Sequence, residues 1–182
     1  MIALIGLALA GPPGPILASA EGTPTPPELV CDPLVEGIVL CYRVEAEGVR
    51  RYVTEADLPA WETSRAGLRR AAKEGLTENP LERVAVAGGG TYWQAQAAGR
   101  EGALLLHPEW LATVADDLLV GVPARGVVVL WEPGDADTDK ILAVGVRQMY
   151  DELDHPVSPV VMRWRGGEWS VWGQAKPPAT EQ

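Results

Sequence analysis

Phenylalanine is absent from this chain of 182 residues, and cysteine and histidine occur only twice each. Without phenylalanine, large apolar volume must come mainly from seven tryptophans, whose indole N–H needs a partner when buried. Two cysteines with no histidine pair beside them cannot supply four zinc ligands, and His107 and His155 lack H-x-x-x-H spacing. No metal and no cofactor is therefore expected. Positive charge is also short: 15 Lys and Arg stand against 25 Asp and Glu, a net charge of -10. The resulting field repels phosphate backbones and anionic lipid, which argues against nucleic acid and membrane-surface partners. No apolar run approaches the about 20 residues that cross a bilayer. The chain also lacks a G-x-S-x-G nucleophile elbow and a fixed-period repeat.

What is present suits one domain with short extensions, since 47% hydrophobic residues suffice for a substantial core. Ile2 to Ala10 form an apolar run, and Ala18, Ser19 and Ala20 match an A-x-A cleavage pattern. This predicts a signal peptide over 1–20, without the usual basic start, and a mature chain from Glu21. Export, to the periplasm or outside, would let Cys31 and Cys41 form a disulfide, stabilising by roughly 3 kcal/mol. In a cytoplasmic protein the same pair would instead be two buried thiols.

The densest strand signal is Leu118 to Trp131, two apolar runs either side of Pro123, Ala124, Arg125 and Gly126, and the rest is expected to pack around this hairpin. In chain order, 21–27 reads as a flexible lead-in and 28–174 as the domain. A first hairpin is predicted over Ile38 to Val53, with a helical turn at Thr54 and a helix from Ser64 carrying Leu68, Ala72 and Leu76 on one face. Strands are predicted at 83–87, 91–97 and 103–106, the glycines Gly88 to Gly90 turning between the first two. A helix begins at Pro108, and another runs from Thr138 to about Leu153. Asp135, Asp137 and Asp139 precede this last helix. An EF-hand would need glycine at Lys140 and glutamate at Val146, so the acids are read as helix capping. A closing hairpin joins Val160–Trp164 to Trp169–Trp172, ahead of a polar tail over 175–182. The class is α+β: a mainly antiparallel sheet with about three amphipathic helices covering one face.

Several segments together resemble one known family. LVEGIVLCYRVEAEGVRRYVTEADL, REGALLLHPEWL, LLVGVPARGVVVL and HPVSPVVMRWRGGEWSVW are similar, in order and spacing, to successive blocks of the YtpQ-like proteins, domain of unknown function 1444. The likeness runs from about Val30 to Trp172. The family's central turn, P-x-R-D, is matched by Pro123 and Arg125, with Gly126 in place of the acid; Gly102 or Ala103 stands where serine is usual. The resemblance implies a shared fold and carries no activity. It implies a cytosolic setting more often than an exported one.

The chemical inventory is thin. Ser158 lies three residues from His155, with Asp151 and Asp154 nearby, but an extended HPVSP segment favours capping and strand-start roles for them. His107, ahead of Pro108, is expected at a helix start. Arg125, at the tip of an apolar hairpin, could grip a carboxylate, and pairing with Asp135 or Glu132 is the preferred reading. Arg125, His155 and Ser158 are the ligand-binding candidates. The expected function is a non-enzymatic, exported domain that binds a protein or small ligand through a sheet edge or the tryptophan-rich closing hairpin. The alternative is a hydrolase-like or metal-assisted enzyme using His155, Ser158, His107 and nearby carboxylates.

Overall fold

The computed structural model describes residues 11–85, 91–95 and 100–174. The apolar run Ile2 to Ala10, the Gly88–Gly90 turn, the strand ends at 86–87 and 96–97, and the tail at 175–182 lie outside those residues. Among the described residues every strand pairing is antiparallel, and the α+β class stands.

The first sheet is built on β3 (Ile38–Ala46). On one side it pairs with β1 (Ile16–Gly22), and on the other with β2 (Cys31–Val35) and β4 (Val49–Tyr52). β1 is new relative to the sequence reading. Ile16 to Ala20 are all buried, so the expected leader boundary behind Ala20 falls inside a core strand, and Glu21 and Gly22 of the expected lead-in complete it. Cys31 and Cys41 stand directly opposite each other in the ladder and form the expected disulfide.

The second sheet holds six strands in the order β10-β9-β7-β8-β6-β5. β5 (Leu81–Ala85) and β6 (Thr91–Ala95) form one edge. β7 (Asp117–Ala124) and β8 (Val127–Trp131) are the predicted central hairpin, now turning on Arg125 and Gly126 alone. β9 (Val160–Arg165) and β10 (Glu168–Gln174) are the closing hairpin. Gly166 and Gly167 both take positive φ, 57° and 90°, the geometry a two-residue hairpin turn needs to follow strand twist.

α1 (Asp57–Ala60) is a single turn, and α2 (Arg65–Glu74) is capped by Ser64 Oγ, which accepts from Gly67 N–H at 3.1 Å. The predicted strand at 103–106 is instead a 3-10 helix, Glu101–Leu106, leading into α3 (Pro108–Val114). Alternation along β7 divides the core. Leu118, Val120 and Val122 join the large cluster, with the inner face of the first sheet, Leu68 and Ala72 of α2, the 3-10 helix and Leu111 of α3. Leu119 faces the other way, with Val129, Trp131 and Val161, toward Ala143 and Val146 of α4 (Ala136–Glu152). The helices thus do not all share one face: α4 covers the opposite side of the second sheet. Gly121 permits this, because a Cβ there would lie 2.5 Å from Val146 Cγ2.

Candidate functional site

The β7–β8 turn carries Arg125 to the seam between the two sheets. Its Nε and Nη2 donate to Glu21 Oε1 and Oε2 at 3.1 and 3.0 Å, and Nη2 also donates to the Tyr52 hydroxyl at 2.8 Å. Tyr52 in turn donates to Glu21 Oε1 at 2.5 Å, and Ser19 donates to the same oxygen at 2.8 Å. The expected partners Asp135 and Glu132 are therefore replaced by a residue 104 positions away. Nothing local in the sequence signals that pairing; it follows from β1 joining the fold.

Burial works to raise the Glu21 carboxyl, but the hydrogen bonds from Arg125, Tyr52 and Ser19 outweigh it and hold the group below the usual glutamate value. Burial and the neighbouring carboxylate push the Tyr52 phenol up to about 12. The hydrogen bond to Glu21 raises Arg125 above its ordinary value. The Arg43 guanidinium lies 5.2 Å from the centre of the Tyr52 ring. With four donors on one carboxylate, this cluster is a closed bracket between sheets, with its acceptor fully engaged.

Among the described residues, the other two ligand-binding candidates meet the β7–β8 hairpin through the main chain, and of the two His155 alone bonds to Arg125. Arg125 N–H donates to His155 O at 3.0 Å, Val157 N–H to Pro123 O at 2.9 Å, and Ser158 N–H to Val122 O at 3.2 Å. The 155–158 segment thus prolongs the ladder beside β7. The side chains serve separate ends. His155 is exposed on left-handed backbone, φ 57°. Ser158 is buried, and its Oγ accepts from Val160 N–H at 3.1 Å, starting β9 as expected. No hydrogen bond joins these two side chains among the described residues.

His107 does sit at a helix start, as the residue before α3, but its ring is buried. Nδ1 lies 3.0 Å from Glu109 Oε1 and Nε2 lies 2.9 Å from Lys73 O, at the end of α2. The ring stacks on Trp110, centroids 3.8 Å apart and planes within 4°. An open cleft of about 480 Å³ adjoins it, lined by Arg70, Lys73, Thr77, Glu109 and Trp110 among others. Burial tends to raise the Glu109 carboxyl, yet its own backbone N–H, Lys73 and His107 bring it down to about 2.

The acidic run behaves as helix chemistry requires. Asp135 accepts from the N–H groups of Asp137 and Thr138 at 3.0 and 3.1 Å, capping α4. Asp139 is buried, accepting from Trp131 Nε1 at 3.1 Å and from Gly134 N–H. Among the described residues, no group of three His, Cys, Asp or Glu side chains is placed to hold a metal ion.

The closing hairpin separates its tryptophans. Trp164 is buried and Trp169 packs against the core, whereas Trp172 is 37% exposed and its neighbour Val171 43%. Among the described residues β10 is also an edge strand, paired only with β9. No family model matches the chain, and neither the curated proteins nor the solved structures contain a match.

Proposed function

We propose that the chain is an exported α+β domain that acts by binding, with the closing hairpin as its contact surface. The observation that carries this reading is the pairing of exposed Val171 and Trp172 on an edge strand. An edge strand offers unpaired N–H and C=O groups to an extended partner, and an exposed indole adds the aromatic contact typical of interface anchors. The favoured partner is a protein segment. The separation of His155 from Ser158, with the serine hydroxyl committed to a strand start, supports binding over hydrolysis.

Export is supported by the Cys31–Cys41 disulfide, which persists in oxidising compartments. No helix among the described residues is long and apolar enough to cross a membrane. A leader compatible with this fold would be cut ahead of Ile16, because β1 needs Ile16 to Ala20. Kinship with the YtpQ-like proteins remains part of the proposal, resting on the order of the sequence blocks.

The test places a photo-crosslinking amino acid at position 172 in the full chain, expressed in its own cell. A single cross-linked species, found in the exported fraction and lost when Val171→Ser is added, is the expected result. No cross-link at 172, alongside one at exposed Ile141 on α4, would move the contact surface; a chain confined to the cytoplasm with free thiols would overturn export.

A further inference from the structure

Between α4 and the β8–β6 half of the second sheet, the packing leaves a gap of about 90 Å³ that the described residues do not fill. Its walls are Tyr92 of β6, Val129 and Trp131 of β8, and Leu142 and Met149 of α4. The cause lies on the neighbouring row of the helix. Gly121 has no Cβ, so Val146 seats α4 directly on β7. The half-buried Leu142 and Met149, on the adjoining stripe, are left to bridge toward β8 and β6.

The chemistry of these walls limits what can enter. The backbone groups of β8 are engaged in ladders to β6 and β7, and Trp131 Nε1 donates to Asp139 Oδ1 at 3.1 Å. That leaves the Tyr92 hydroxyl, which has no hydrogen-bond partner among the described residues. A buried water needs about two to four polar partners, so one hydroxyl does not hold water there. No carboxylate, ammonium, guanidinium or imidazole lines the gap, so an ion entering it would lose its hydration with nothing to pair against. Size narrows the choice further. Benzene occupies an engineered apolar cavity of about 150 Å³, so a volume of about 90 Å³ takes roughly four carbons.

We propose that this gap is a binding site for a short, uncharged aliphatic molecule ending in a hydroxyl, with its alkyl end against Trp131, Leu142 and Met149 and its hydroxyl on Tyr92. A butyl group matches the volume. Met149 is unbranched and adapts its shape to an occupant, and the Tyr92 hydroxyl both donates and accepts. The site is separate from the closing hairpin, since β7 and β9 stand between β8 and β10. It therefore stands or falls independently of the contact surface proposed above.

The sequence supplies its own reporters. Its three methionines are Met1, Met149 and Met162, and Met162 is fully buried in the main core, away from the gap. With isotope-labelled methionine methyl groups, titration of the full chain with n-butanol should move the Met149 signal along a saturable curve and leave Met162 in place. Saturation should fall in the millimolar range, as a ligand of about five heavy atoms permits. Butyrate should move neither signal. Leu142→Phe, which fills the gap, should abolish the response. Tyr92→Phe should weaken n-butanol about fivefold and leave the response to xenon, which has no polar end, unchanged. A linear drift of both signals, an equal response to butyrate, or n-butanol binding that survives Leu142→Phe overturns the site; unchanged n-butanol affinity in Tyr92→Phe overturns the hydroxyl-bearing ligand class. Should Leu142→Phe fail to fold, the nuclear Overhauser contact between the terminal methyl of n-butanol and the Met149 methyl in the unaltered chain decides. Its presence supports the site and its absence sinks it.

Discussion

At the scale of single residues, electrostatics decides more than side-chain identity. Arg125 was visible in the sequence because a guanidinium on an apolar hairpin is out of place, but its partner was hidden by 104 residues of separation. Local periodicity carries no information on such contacts. Arg125→Ala leaves Glu21 half-buried without its main counter-ion and should cost about 2 kcal/mol in urea unfolding. Arg125→Lys should recover only part, since a single ammonium cannot bond both carboxylate oxygens in one plane. Tyr52 supplies an alkaline signature. Its folded value lies above the ordinary phenol value, at about 12, so its contribution is complete below pH 10 and is lost as pH rises toward 12. Tyr52→Phe should therefore flatten the loss of stability across that window, read as unfolding midpoint against pH. Part of the loss should remain, because burial and Asp32 also push Tyr42 upward.

At the scale of elements, the two-residue and 3.6-residue periods located most strands and helices, and they failed where four apolar residues stood alone. Ala103 to Leu106 are buried on every side, a pattern that a short strand and a tight helical turn share. Gly102 resolves the choice in the structure, since a Cβ there would lie 2.7 Å from Ala18 O and 2.9 Å from Ala20 N. The 3-10 helix is pressed directly onto the backbone of β1, a strand whose residues match a leader's end in the sequence. Gly102→Ala should accordingly be destabilising by about 2 kcal/mol. Gly121→Ala collides instead with a side chain, the methyl groups of Val146, and a side chain can be trimmed. Combining it with Val146→Ala should cost less than the sum of the single changes, a coupling of about 1 kcal/mol by double-mutant cycle. Additive losses would mean that α4 and β7 approach by backbone contacts alone.

At the scale of the whole molecule, the decisive question is what β1 contributes. The A-x-A pattern at Ala18 to Ala20 reads as a cleavage site because small residues are what a processing enzyme selects, but small residues are also what a close-packed strand needs. Here Ala18 and Ala20 lie in the main core beside Ile16, with the 3-10 helix against them. A chain beginning at Gly11 keeps β1, its ladder to β3, and the strand residues that lead to Glu21 and hence to Arg125. A chain beginning at Glu21 loses Ile16, Leu17, Ala18 and Ala20 together. Re-exposing the inner partners of Ile and Leu alone costs about 1.5–3 kcal/mol each, and the lost ladder uncovers polar groups of β3 as well. That sum approaches the whole stability of an ordinary domain, about 5–15 kcal/mol. Expressed with the disulfide intact, the Gly11 chain should unfold in one cooperative step, and the Glu21 chain should show no cooperative transition and weak near-ultraviolet circular dichroism. If both chains unfold at the same urea midpoint, β1 is dispensable, the boundary behind Ala20 stands, and the seam around Glu21 must be held by β4 and the β7–β8 turn without it.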